Sequence, residues 1–377
     1  MLLLSLIESD LQTKIIISTI LFSCAVCAIF FTSHFSSLLI QSREDEIQRI
    51  RDEKQFLLVR LMFDDNTAES NDAIILTGFD EFKPIGKDNQ LRKRKRKRKL
   101  LRQMMIDEML KLKKNLTGSG VEDLYKLYDK LSLYEDSYIK LKSNRYQLMV
   151  MGIRELSEMN FRAHYRPIYK CTNHFQEDVR MEAQVAIVRL FGVKGLRFLS
   201  RVTYTISEWQ QMTLLHLLNN MKNEKPKGIE KWFDSKNDSV IIFSLRLADK
   251  YNCFELLEKI QYFLHHPNDS VKIQSVYCLK NIYDESTEFL LIANYEIVSK
   301  PVKIAILDVL KLLSTELSIP FLYKQLADND TEIRFSVLRV LNKLCDHIDI
   351  ISNAENELAI KDSISLMLEQ IKSEESK

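Results

Sequence analysis

One short pattern returns six times along the carboxy-terminal part of this chain. It opens at Val179, Trp209, Val240, Val271, Val302 and Ile333, at intervals of 30, 31, 31, 31 and 31 residues. A unit of that length cannot enclose an apolar face by itself, so successive copies must stack and cover one another. The interval predicts a repeat array and constrains architecture far more than biochemical task.

The units read as helical. Only 8 Gly and 6 Pro occur in 377 residues, too few for a protein made of many tight β-turns. Within each copy, apolar or small residues recur on one helical face: Ala183, Ala186, Ile187 and Leu190 in the first, Val337, Val340, Leu341 and Leu344 in the sixth. Acidic or turn-forming residues precede the anchor at Glu177-Asp178, Asn237-Asp238-Ser239, Asn268-Asp269-Ser270 and Asn329-Asp330-Thr331-Glu332. Their side-chain oxygens suit the unsatisfied amides at a helix start, which predicts N-caps. A second helix per copy is expected in Phe254 to Leu264, Thr287 to Ile297 and Leu317 to Leu326, giving one α-hairpin per unit.

A basic residue follows the anchor in four copies, as Val179-Arg180, Val271-Lys272, Val302-Lys303 and Ile333-Arg334. With Asp178-Val179-Arg180-x-x-Ala183, Asp269-Ser270-Val271-Lys272 and Glu332-Ile333-Arg334, the pattern resembles HEAT repeats over roughly residues 145 to 350. Gln210 and Ile241 replace the basic residue in copies two and three. The resemblance implies an α-solenoid, here expected over 121–377 with terminal capping helices, whose surface binds a protein. Similarity to membrane-anchored bacterial HEAT-repeat proteins suggests a membrane enzyme as client, such as a glycosyltransferase. Some HEAT-like relatives are chromophore lyases or DNA glycosylases, whose sites find no residue-by-residue match in this sequence.

The amino-terminal region reads differently. Residues 15 to 40 contain no Asp, Glu, Lys or Arg, and about 20 apolar residues suffice for a helix to cross a bilayer. A retained transmembrane helix within 1–41 is expected, because Glu8 and Asp10 precede it where a signal peptide would carry positive charge. Lys14 lies before the span, while Arg43, Arg49, Arg51 and Lys54 follow it, which orients the bulk of the chain to the cytoplasmic side of an inner membrane. Residues 42–63 are expected to form a juxtamembrane helix and 64–91 a linker. Cys24 and Cys27 form a C-x-x-C inside the apolar run and are read as small buried residues.

The formal net charge is +2, yet eight consecutive basic residues (Arg92, Lys93, Arg94, Lys95, Arg96, Lys97, Arg98, Lys99) exceed it, leaving the rest of the chain net acidic. This run leads into Leu100, Leu101, Met104, Met105, Met109 and Leu112. Over 92–120 the combination predicts a polybasic amphipathic helix for an anionic lipid surface or another anionic partner. Nucleic acid is the rival partner, disfavoured by the acidity of the remainder. Upstream of the first repeat, Tyr125, Tyr128, Tyr134, Tyr138 and Tyr146 crowd together and are read mainly as packed rings.

Chemistry-bearing motifs are sparse. His164, Cys171 and His174 have no standard zinc spacing. Gly118-Ser119-Gly120 lacks the lysine and preceding strand of a phosphate cradle. The expectation is a scaffold that performs no reaction, with no cofactor and no metal. Arg189, Lys311 and Lys343 are expected to contribute to its docking face.

Overall fold

The computed structural model describes residues 92–219, 225–345 and 358–375 together with a few isolated positions, and side chains of the first continuous helix from Arg98 onward. The expected transmembrane span, juxtamembrane helix and linker lie outside the continuously described residues. No helix among the described residues is long and apolar enough to cross a membrane. Every regular element among the described residues is helical. The chain divides into two compact units, residues 1–139 and 140–377.

In the first unit, α1 (Arg92–Asn115) is followed by α2 (Ser119–Lys130). Gly118 stands between them at φ +65°, a backbone conformation that side chains resist, so the turn needs glycine. The helix expected to continue to residue 120 therefore stops at Asn115. Leu101, Met105, Ile106 and Met109 are all buried. That burial corrects one expectation: the apolar face of α1 is covered by protein, so it is not free to lie in a lipid surface. Arg102 is buried with it, its guanidinium donating to Asp136 at 2.6 Å and to the carbonyls of Leu131 (3.1 Å) and Ser132 (2.7 Å). It thereby satisfies carbonyls left open where α2 ends.

The chain then continues through α3 (Tyr134–Leu141), α4 (Tyr146–Glu158), α5 (Tyr165–Cys171), α6 (Glu177–Phe191), α7 (Glu208–Asn219), α8 (Glu230–Phe233), α9 (Asp238–Lys250) and α10 (Leu257–Tyr262). After these come α11 (Asp269–Leu279), α12 (Thr287–Tyr295), α13 (Lys300–Leu313), α14 (Ile319–Gln325), α15 (Thr331–Leu344) and α16 (Leu358–Glu375). In the second unit the long helices α4, α6 and α7 stack in series, as do α9, α11, α13 and α15, closed by α16 against α15; Arg246 of α9 reaches back to Glu208 of α7. Shorter helices form a second layer, each packed on the long helix that follows it, as α10 is on α11, α12 on α13 and α14 on α15. One apolar core runs without interruption from Val188 to Ile371.

The burial pattern shows the repeat more sharply than the sequence does. Each long helix from α6 on has its anchor eleven residues after a buried apolar residue of the preceding short element: Ile168, Leu199, Ile229, Ile260, Leu291 and Leu322. Measured this way, the second anchor is Gln210 and not Trp209. Gln210 is buried while Trp209 is 76% exposed, so the apolar tryptophan had drawn the register one residue off. The corrected series also extends back to Leu148 in α4, with intervals of 31, 31, 30, 31, 31 and 31. In α4, Gly152 and Leu156 are buried where Ala183 and Ile187 are in α6.

Copy two is irregular for a local reason. Its short element is a 3₁₀ helix, Gly192–Arg201, held against α6. A Cβ at Gly195 would stand 2.5 Å from the Ile187 carbonyl oxygen, so this close approach requires glycine.

Candidate functional site

The N-terminal ends of the long helices carry a ladder of polar contacts from copy to copy. Asn237, Asn268 and Asp330 cap their helices by accepting from the amides of Ser239 (3.1 Å), Ser270 (2.8 Å) and Glu332 (2.9 Å). Glu177 and Asp178 make no such cap; they sit in the first turn of α6, where negative charge opposes the helix dipole. The capping turns also reach their neighbours. Thr203 N donates to Asn173 at 3.0 Å, Asn237 Nδ2 to the Tyr204 carbonyl at 2.9 Å, and Asn268 Nδ2 to Asp238 at 2.6 Å. Ser299 Oγ donates to Asp269 at 2.5 Å, and Lys300 pairs with Asp330 at 2.6 Å. These bonds hold the Asp269 and Asp330 carboxyls below the usual carboxylate range, through Ser299 and Lys272 for the first and Lys300 for the second.

A second ladder joins the opposite helix ends. Arg189 donates to Ser157 Oγ (2.8 Å) and pairs with Glu158 (3.0 Å), Lys250 bonds Asn219, Asn281 donates to Asp249 (2.7 Å), and Lys343 donates to the Lys311 carbonyl (2.9 Å). Arg189 and Lys343 are thus engaged in rungs between copies.

The residues of the repeat signature hold the units together locally. Val179, Val271, Val302 and Ile333 are buried. Arg180 donates to the His174 carbonyl at 2.8 Å and lies over the Tyr204 ring at 4.4 Å. Lys272 pairs with Asp269 at 3.0 Å, Lys303 lies 5.0 Å from the Tyr295 ring centre, and Arg334 donates to the Asp328 carbonyl at 3.1 Å. In the basic run Arg92 to Lys99, the backbone is helical and Lys99 is exposed.

The remaining sequence candidates stay apart chemically. His164 lies in a 3₁₀ turn, its pKa lowered by partial burial and by Lys142. Cys171 is buried, which pushes its thiol up. His174 accepts from the Gln176 amide at 3.1 Å and stacks on Phe175. Of the tyrosines, Tyr128 is buried with its hydroxyl on Ser137 at 2.8 Å, and Tyr146 meets Phe175 edge-on at 5.5 Å. Gly118-Ser119-Gly120 is the turn into α2.

No protein-family model matches the chain, and no curated protein matches it. Among solved structures, the complex of CpcE and CpcF of phycocyanin lyase from Nostoc sp. PCC7120 is similar at 13% identity, with a TM-score of 0.24, over 76% of this chain and 97% of that chain. That protein is a lyase, so the expectation that this chain performs no reaction is corrected and withdrawn. A likeness of this size transfers no activity, substrate or residue.

What sequence reading did not isolate is the outward face of the long-helix layer. At 100° per residue, the positions two and six after each anchor lie opposite the buried side. The first of these rows is apolar in every copy: Met181, Met212, Ile242, Ile273, Ile304 and Phe335, preceded by Val150 in α4. Ile242, Ile273 and Phe335 rest sideways on the core and are half-buried. The second row is mostly polar and cross-linked. Arg154 pairs with Glu182 (2.7 Å), Arg246 bridges Glu208 (2.7 Å) and Gln274 (2.9 Å), and Tyr277 meets Asp308 at 3.5 Å. Burial pushes the Asp308 carboxyl up. On α7 the apolar row breaks the surface, with Met212 54% exposed one turn from Trp209.

Proposed function

We propose that the array is a protein-binding scaffold whose long-helix layer docks an apolar-faced segment of a partner, and that residues 15–40 tether it to a membrane. The observation that carries the docking is the Trp209–Met212 pair. Two large apolar side chains, three residues apart, share one exposed helix face, although a packed core lies on the other side of the same helix. Nothing in the fold of α7 requires them there, because Gln210, Gln211, Leu214 and Leu218 make its buried side. An exposed tryptophan beside an apolar row flanked by paired charges has the composition of an interface centre and its rim. The tether rests on the uncharged run of residues 15–40 alone. No residue of the array supports a glycosyltransferase over any other client, so the client is left at the level of an apolar helical or extended segment.

A photo-crosslinking residue placed at Met212 in membranes from the native source tests the docking. A discrete adduct is expected, lost when Trp209→Ala is added and absent when the crosslinker replaces the still more exposed Tyr262. Adducts indifferent to Trp209, or seen equally from Tyr262, overturn the reading. Alkaline extraction tests the tether separately: the full chain is expected to stay with the membrane pellet, and its release refutes the span.

A further inference from the structure

The short-helix layer carries its charge unevenly. Residues 161–175 and 192–204 hold Arg162, Arg166, Lys170, Lys194, Arg197 and Arg201 and no acidic residue, whereas 283–297 holds four acids and no base. Like charges gathered on one stretch raise the local potential for anions. Where the basic segment 192–204 ends, a cleft of about 520 Å³ opens between the end of the 3₁₀ helix and the turn after α8. Its walls are Leu199 to Thr203 on one side and Lys231, Trp232 and Asp234 to Asn237 on the other. The volume falls in the range of small-ligand sites, about 300–1,000 Å³.

Two features of the lining point to an anion. Among the described residues, Arg201, Lys231 and Lys236 are exposed at the cleft and form no ion pair, although most rungs of this array pair their basic residues and Asp234 stands on the same wall. The hydroxyls are also poised to donate. Ser200 Oγ accepts from Trp232 Nε1 at 3.1 Å, and Ser235 Oγ accepts from the Asn237 amide at 3.1 Å. Each oxygen accepts one bond and donates none among the described residues, so its O–H can turn toward an incoming oxygen. Three such cations and two such hydroxyls around one cleft, with a single carboxylate, form a donor set matched to phosphate oxygens.

We propose that this cleft binds a phosphate group, with Arg201, Lys231 and Lys236 supplying charge and Ser200 and Ser235 supplying hydrogen bonds. The phosphate belongs either to a soluble compound or to a lipid headgroup. The site lies in the short-helix layer and stands or falls independently of the docking reading.

Trp232 forms part of the cleft wall and is one of two tryptophans in the chain, so full-length protein carrying Trp209→Phe reports on the cleft alone. Inorganic pyrophosphate is one probe; phosphatidylcholine vesicles with and without a phosphoinositide are the other. The expected result is a saturable Trp232 fluorescence change with at least one probe. Arg201→Gln with Lys231→Gln should weaken it at least tenfold, and Ser200→Ala several-fold. Lys259→Gln and Lys324→Gln, on the later short helices, should leave it unchanged. Thermal melting by circular dichroism confirms that each exposed-site variant folds. A response to pyrophosphate assigns a soluble phosphate compound, and a response confined to phosphoinositide vesicles assigns a headgroup. No response to either, or a response that the cleft variants leave intact, overturns the proposal.

Discussion

At the scale of single residues, this fold depends on positions that look unremarkable in the sequence. Gly195 lies outside every glycine motif, yet it is where the 3₁₀ helix of copy two crosses the backbone of α6. Gly195→Ala is expected to destabilise the second unit by about 1–3 kcal/mol, since the neighbouring atoms are main chain and cannot rotate away. A lower urea midpoint with unchanged slope would show it; an unchanged midpoint would mean the segment shifts freely. Lys140 and Glu155 are equally inconspicuous in sequence, being 15 residues apart, but both are buried and meet at 2.5 Å. Lys140→Met removes the cation from a buried carboxylate and should cost about 3–5 kcal/mol, while adding Glu155→Leu should restore most of the loss. Chemical denaturation of the two single variants and the double variant decides this, because additive losses would show that the pair is not coupled. Such pairings were not legible beforehand: charge in a sequence says nothing about which two distant residues share a pocket.

At the scale of elements, what was legible followed local chemistry. Asn237, Asn268 and Asp330 stand before their helices and cap them, as their short oxygen-bearing side chains suggest. The second half of their role, reaching to the adjacent copy, depends on stacking and left no local mark. Asn268→Ala removes both its cap on Ser270 and its bond to Asp238. A loss of about 0.5–2 kcal/mol is expected for the cap, with the inter-copy bond adding to it. Acid should act on the same ladder. The Asp269 and Asp330 carboxyls are held below their unfolded values by Ser299, Lys272 and Lys300. A depressed carboxyl contributes stability that is complete above the unfolded pKa, near 4, and lost as pH falls through the folded value. Stability measured by denaturant titration should therefore decline below about pH 4, and less steeply in a variant with Asp269→Asn and Asp330→Asn. An equal decline in both proteins would place acid sensitivity elsewhere.

At the scale of the whole second unit, periodicity points to stacked helices and also misplaces one anchor and omits one copy. Apolar character marks Trp209 as the anchor, whereas stacking selects Gln210, whose side chain bonds Gln184 of the preceding long helix. A buried polar rung looks like surface in a sequence, and an exposed tryptophan looks like core; the two inversions fall side by side in α7. The copy at Leu148 leaves a faint mark in the sequence because Gly152 takes the small-residue position that Ala183 holds in α6, while Arg145 replaces the acidic cap. An array of this kind is held by contacts between adjacent copies, so damage should stay near where it is made. Leu341 is buried in α15, against which, among the described residues, α13, α14 and the closing helix α16 pack extensively. Leu341→Ala opens a cavity there, a loss of about 2–5 kcal/mol for the copies that share it. Amide hydrogen exchange should then quicken in α15 and α16 by several tenfold steps while α6 and α7 keep their protection. Uniform quickening from α4 to α16 would instead mean that the continuous core from Val188 to Ile371 opens as one cooperative body, and that nearest-neighbour stacking understates how tightly the copies are coupled.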